Sequence, residues 1–79
     1  MAGFILTNNS KYLNISNNGQ TVININKPFN VDIRNKGTSV FIFDVTGNQR
    51  ISLNYSTIQM PISTDIRNLQ NILMAYNNL

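Results

Sequence analysis

The chain has 79 residues, six Lys and Arg against three Asp, and no Glu, His, Cys or Trp, giving a formal net charge of +3. One domain of this size buries about 60% of its extended-chain surface, so the core is marginal, disulfides are excluded and a structural metal lacks its best ligands; self-association is the expected aid. The missing residue types also exclude most catalysis, because acid–base and nucleophilic chemistry at neutral pH draws on His, tuned carboxylates or activated thiols and hydroxyls.

The first apolar stretch is Phe4-Ile5-Leu6. It has no basic leader and is too short for a signal peptide, and nothing along the chain approaches a membrane span. Two roles fit it: an ordinary first core strand, or an apolar strand within residues 1–10 that pairs with a neighbour's sheet edge.

Period-2 alternation then runs through residues 11–56. Tyr12 to Ser16 and Gln20 to Asn26 read as two strands around Asn17-Asn18-Gly19, since Asn-Gly tolerates the positive φ of a hairpin turn. In the second of them Thr21, Ile23 and Ile25 are expected on one face, with Asn24 and Asn26 on the other. Lys27-Pro28 breaks the ladder because Pro donates no backbone hydrogen bond.

Phe29 to Arg34 puts Phe29, Val31 and Ile33 inward and Asn30, Asp32 and Arg34 outward, and it ends at Asn35-Lys36-Gly37. Thr38 to Val45 differs: Val40 and Ile42 share one face, Phe41, Phe43 and Val45 the other, and both faces call for burial. This run is expected to be the central strand, or a strand whose second face is covered by the C-terminal helix or a neighbouring subunit. After the turn at Thr46-Gly47-Asn48, Arg50 to Ser56 alternates Ile51, Leu53 and Tyr55 with Arg50, Ser52 and Asn54.

Beyond Met60-Pro61 the period becomes helical: Ile66, Leu69, Leu73 and Tyr76 form a stripe joined by Ile72. A helix over 64–77 is expected, with Ser63 or Thr64 as N-cap and Asp65 in its first turn, about 21 Å long. The fold class is thus mainly β with one C-terminal α-helix (α+β): a single domain, a small antiparallel sheet or sandwich of five to six strands, and the helix packed on one face.

Few groups are available for chemistry. Asp32 and Asp44 would make a glycosidase-type carboxylate pair only if strand pairing brought them together, and no other acid–base group supports that reading. Turn formation suits Asp44 better. No loop of calcium-binding or phosphate-binding spacing occurs, so no catalytic residue, metal site or cofactor is expected. For single-stranded nucleic acid, Tyr12, Phe29, Phe41, Phe43 and Tyr55 are the stacking candidates, with Arg34, Lys36 and Arg50 for phosphates. The register of most of these rings with aliphatic residues favours the core instead, and Lys11, Lys27, Arg34, Lys36, Arg50 and Arg67 are dispersed rather than clustered.

Asparagine occurs 15 times. The bias reads as a preference for A and T codons more readily than as a fibrillar Asn ladder, which the Pro and Gly turns would interrupt. Three Asn-x-Ser sequons, at Asn8, Asn14 and Asn54, follow from the abundance of Asn and Ser.

From Val40 to Asn78 the text VFIFDVTGNQRISLNYSTIQMPISTDIRNLQNILMAYNN resembles the C-terminal half of small structural proteins of tailed bacteriophages, crAss-like phages in particular. The shared pattern is a strand ending in Asp44, the Gly47-Asn48 turn, the strand around Ile51 to Tyr55, Pro61, and a helix starting at Thr64-Asp65 with Leu69 and Leu73 one turn apart. Residues 1–39 carry no such pattern. The resemblance implies a non-enzymatic virion component, an auxiliary or decoration capsid protein or a small head–tail part, made in the host bacterial cytoplasm and residing in the virion. Its expected partners are other virion proteins or further copies of itself, with no membrane. Phe4, Ile5, Leu6, Val40 and Ile42 are the candidate intersubunit contacts. The alternative is a small phage binding module, either for single-stranded nucleic acid or as an inhibitor of a host protein.

Overall fold

Turn chemistry divides the chain into two three-stranded meanders. The computed structural model describes residues 3–59 and 65–78. Among them β1 (Phe4–Asn8), β2 (Tyr12–Asn17) and β3 (Gln20–Asn26) form one antiparallel sheet in that order, and β4 (Asn30–Arg34), β5 (Ser39–Phe43) and β6 (Gln49–Asn54) form a second. A 3₁₀ turn at Tyr55–Thr57 follows, then α1 (Ile66–Tyr76). The mainly β class with one C-terminal helix is as the sequence predicts.

The β2–β3 hairpin closes through a two-residue turn in which Asn18 and Gly19 have φ of 55° and 78°. Such a turn matches the twist of the flanking strands, and Asn-Gly occupies it at low steric cost. Lys27-Pro28, joined by a cis peptide bond, lies where the chain leaves the first sheet for the second.

The inner faces of both sheets and one stripe of the helix meet in a single core. Leu13, Ile15, Ile25 and Ile42 are fully enclosed, and Phe29, Val40, Leu69 and Leu73 nearly so. These enclosed side chains form one continuous cluster. Phe4 and Leu6 pack against it from β1. The start of β1 is also paired on its outer side: Phe4 forms a parallel bridge with Ile58, and the Gln59 N–H donates to the Phe4 carbonyl at 2.8 Å. Gly3 permits this approach, because a Cβ there would lie 3.0 Å from the Thr57 carbonyl oxygen and 2.9 Å from Gln59 Cγ.

Two bulges alter the alternation read from the sequence. Ile15 opposes Ile23 but Ser16 opposes Thr21, leaving Val22 as the extra residue of β3. The slip turns Thr21 onto the outer face, where Asn14 Nδ2 donates to Thr21 Oγ1 and to Asn24 Oδ1; the expected grouping of Thr21 with Ile23 and Ile25 is thereby corrected. In the second sheet Ile42 opposes Ile51 and Phe43 opposes Gln49, so Arg50 is the extra residue of β6. Val45 lies beyond β5 in the following turn and is 68% exposed, not buried as expected.

Asp65 is itself the N-cap of α1, accepting a hydrogen bond from the Asn68 N–H at 2.8 Å, which places it one position before the first turn expected of it. Ser63, Thr64 and Met60-Pro61 lie outside the described residues. Leu69 and Leu73 are the buried members of the helical stripe, with Ile66 and Tyr76 partly buried, while Ile72 falls off it at 37% exposure. The helix is fastened to β4, an outer strand of its sheet. Asn77 Oδ1 accepts from the Phe29 N–H at 3.0 Å, Asn77 Nδ2 donates to the Phe29 carbonyl at 2.8 Å, and Gln70 Nε2 donates to the Val31 carbonyl at 2.9 Å. One side-chain amide thus gives Phe29 the pair of bonds that a neighbouring strand would give it.

Replacing Asn77 by Ala strands a part-buried donor and acceptor on Phe29, and is expected to lower unfolding free energy by about 1–3 kcal/mol. Urea denaturation checks this, with the exposed Asn78→Ala expected within about 0.5 kcal/mol of wild type. Deleting residues 1–7 removes Phe4 and Leu6 from the core, and is expected to abolish the cooperative thermal transition seen by circular dichroism. A truncated chain that still melts cooperatively would show β1 to be dispensable.

Candidate functional site

Alternation across the second sheet places Asn30, Asp32 and Arg34 of β4 beside Ser39, Phe41 and Phe43 of β5 on the face turned away from the core. Phe41 and Phe43 are half-buried, and among the described residues neither belongs to the core cluster. What covers them is Arg34: its guanidinium carbon sits 4.8 Å from the Phe41 ring centre and 5.2 Å from that of Phe43. Register explains the reach, since Arg34 opposes Ser39 and its long side chain lies back along β5 over both rings. Arg34 Nε donates to Asp32 Oδ2 at 2.9 Å, which holds the guanidinium in place. Cation–π contacts at so exposed a site contribute about 0.5–1 kcal/mol each.

The turns at the two ends of β5 frame this face. Between β4 and β5, Asn35, Lys36 and Gly37 all have positive φ, and Asn35 Nδ2 donates to the Oγ of Ser39, a polar residue only 5% exposed. Between β5 and β6, Asp44 Oδ1 accepts from the Thr46 hydroxyl at 2.6 Å, the Thr46 N–H at 2.9 Å and the Asn48 N–H at 3.0 Å, and Asp44 Oδ2 lies 3.7 Å from Arg50. The Thr46 hydroxyl bond, followed by the Asn48 and Thr46 amides and the Arg50 charge, outweighs desolvation and holds the Asp44 carboxyl below its ordinary 3.8. It is a turn-building carboxylate, as its position in the sequence suggests.

Each remaining candidate has a definite place. Asp32 and Asp44 engage separate partners, Arg34 for one and Thr46, Asn48 and Arg50 for the other, so the bonds they make build no shared acid–base site. Val40 and Ile42 are 1% and 0% exposed; they point into the core and offer no area to another chain, which corrects their role as contact candidates. Phe4 and Leu6 also face the core, leaving Ile5, 42% exposed, as the outward member of its trio. The five aromatic candidates for base stacking do not form one platform. Phe29 is buried, Tyr55 packs against the core, and Tyr12 stands on β2 in the other sheet; only Phe41 and Phe43 share a face with Arg34. Sequence reasoning assigned Phe41 and Phe43 to the interior and missed Arg34 as their cover. The signal was there in part, as an Asp-x-Arg pair on the polar face of the strand that opposes two phenylalanines.

No group of three or more His, Cys, Asp or Glu side chains that could hold a metal occurs among the described residues, and no described helix is long and apolar enough to cross a membrane. No family model matches the chain, nor does any curated protein or solved structure.

Because the folded-state pKa of Asp44 is depressed, the stability it contributes is complete above the unfolded-state value and is lost as pH falls through the depressed one. Unfolding free energies measured in urea from pH 6 down to pH 2 are expected to fall more steeply on the acid side for wild type than for Asp44→Asn. Parallel profiles would remove Asp44 from the acid response.

Proposed function

We propose that the protein is a non-enzymatic structural component of a bacteriophage virion, an auxiliary or decoration capsid protein or a small head–tail part, working through contacts with other chains. The observation that carries the contact reading is the outer face of β4 and β5. Two phenylalanines lie there under a single arginine, and aromatic and arginine side chains are those enriched where protein surfaces meet. The assignment to a virion is supported by the phage-like pattern of Val40 to Asn78, the segment that supplies β5, β6 and α1.

The same cluster favours a second reading, a module for single-stranded nucleic acid, because bases stack on aromatic rings and on guanidinium planes. Against it stand the two carboxylates beside the arginines of this region, Asp32 with Arg34 and Asp44 with Arg50, which leave these four groups without surplus positive charge.

Quantitative mass spectrometry of purified particles of the source phage is the test. The chain is expected at a fixed copy number relative to the major capsid protein. Its presence in infected cells and absence from particles would overturn the virion reading. Binding of a dT oligonucleotide that weakens steeply with salt would establish the second.

A further inference from the structure

Resting on the contact reading above, we propose that the outer face of the second sheet is a self-complementary surface on which a second copy of this chain docks around a two-fold axis. A two-fold interface brings one patch against itself, so a patch suited to it carries both signs of charge and a shared apolar centre. This face has both. Phe41 and Phe43 form the centre, Asp32 and Arg34 stand beside them on β4 with side chains 51% and 49% exposed, and Asp44 and Arg50 repeat the pair at the rim. The two Arg–Asp pairs cancel, and with Lys36 in the β4–β5 turn the region carries one of the chain's three surplus positive charges. A face built for a polyanion would concentrate that surplus; this one holds a third of it. In the pair, Arg34 of each copy stays over its own rings and reaches Asp32 of the other.

The free strand edges make a poorer route to the same end. β3 and β6, the outer strands with no neighbour described, each carry a bulge, at Val22 and Arg50, which interrupts the straight ladder that strand addition needs. β4 is occupied by Asn77 and Gln70. Contact between copies is therefore directed to a face.

Three strands of about five residues present roughly 14 by 17 Å of sheet, well under the about 800 Å² per partner of stable complexes. The pair is accordingly weak and reversible, formed at near-millimolar concentration or where a particle holds copies close together.

Sedimentation equilibrium of the full chain up to about 1 mM, at low salt, tests the proposal with two charge variants, Arg34→Asp and Asp32→Arg, each first shown by circular dichroism to be folded. Wild type is expected to approach twice the 8.9 kDa chain mass at the highest concentrations. Each variant alone, carrying like charges on the patch, is expected to stay monomeric, and an equimolar mixture of the two to recover the dimer. A wild type that remains monomeric at 1 mM overturns the proposal, as do variants that dimerise like wild type or a mixture that does not associate. Binding of a dT oligonucleotide abolished by Arg34→Asp would also overturn it, giving the face to nucleic acid. These outcomes are separable from the virion reading: a monomeric chain found in particles removes the dimer alone, and a dimeric chain absent from particles removes the virion role alone.

Discussion

The double hydrogen bond between the Asn77 side chain and the main chain of Phe29 is the constraint on which the arrangement turns. A three-stranded meander has two open edges, and a small protein without disulfides has few ways to close them. Here the helix does so at β4. Its buried leucines complete the core, while its amides stand in for the strand that β4 lacks. On the outer face of the same sheet Arg34 lies over Phe41 and Phe43.

Asparagine acquires a meaning in the fold that its abundance alone does not convey. Asn18 accepts positive φ in a tight turn, Asn35 supplies the buried Ser39 hydroxyl, Asn14 ties β2 to two residues of β3, and Asn77 imitates a peptide group. A codon-level bias toward this residue is compatible with all of these uses. An amide carries a donor and an acceptor at the spacing of the backbone, so a chain rich in asparagine has many places from which to satisfy exposed main-chain groups.

The strands and the helix were legible because each is short, strongly periodic and bounded by Gly, Pro or Asp. Ile25, Leu69 and Leu73 could be grouped on apolar faces from alternation and helical spacing alone, and all three are buried. The bulges could not. An extra residue in one strand of a pair has no composition of its own, so Thr21 was read on the wrong face and Arg50 in the wrong phase. The outer face was missed for a related reason: two phenylalanines in a strand read as interior unless the register shows that an arginine two strand positions past an aspartate can lie over them. Val45 belongs to the same class of error, because alternation continues in the letters after Asp44 has already turned the chain.

The bulges at Val22 and Arg50 have a consequence for the state of the protein at high concentration. A β-rich, asparagine-rich chain has the composition from which cross-β stacking draws its ladders, and such stacking starts where a flat, regular strand edge offers itself as a template. The bulges fall at the third residue of β3 and the second of β6, so neither open edge is a regular ladder from end to end. The unfolded chain, whose strands carry no such interruption, is the better template for that stacking.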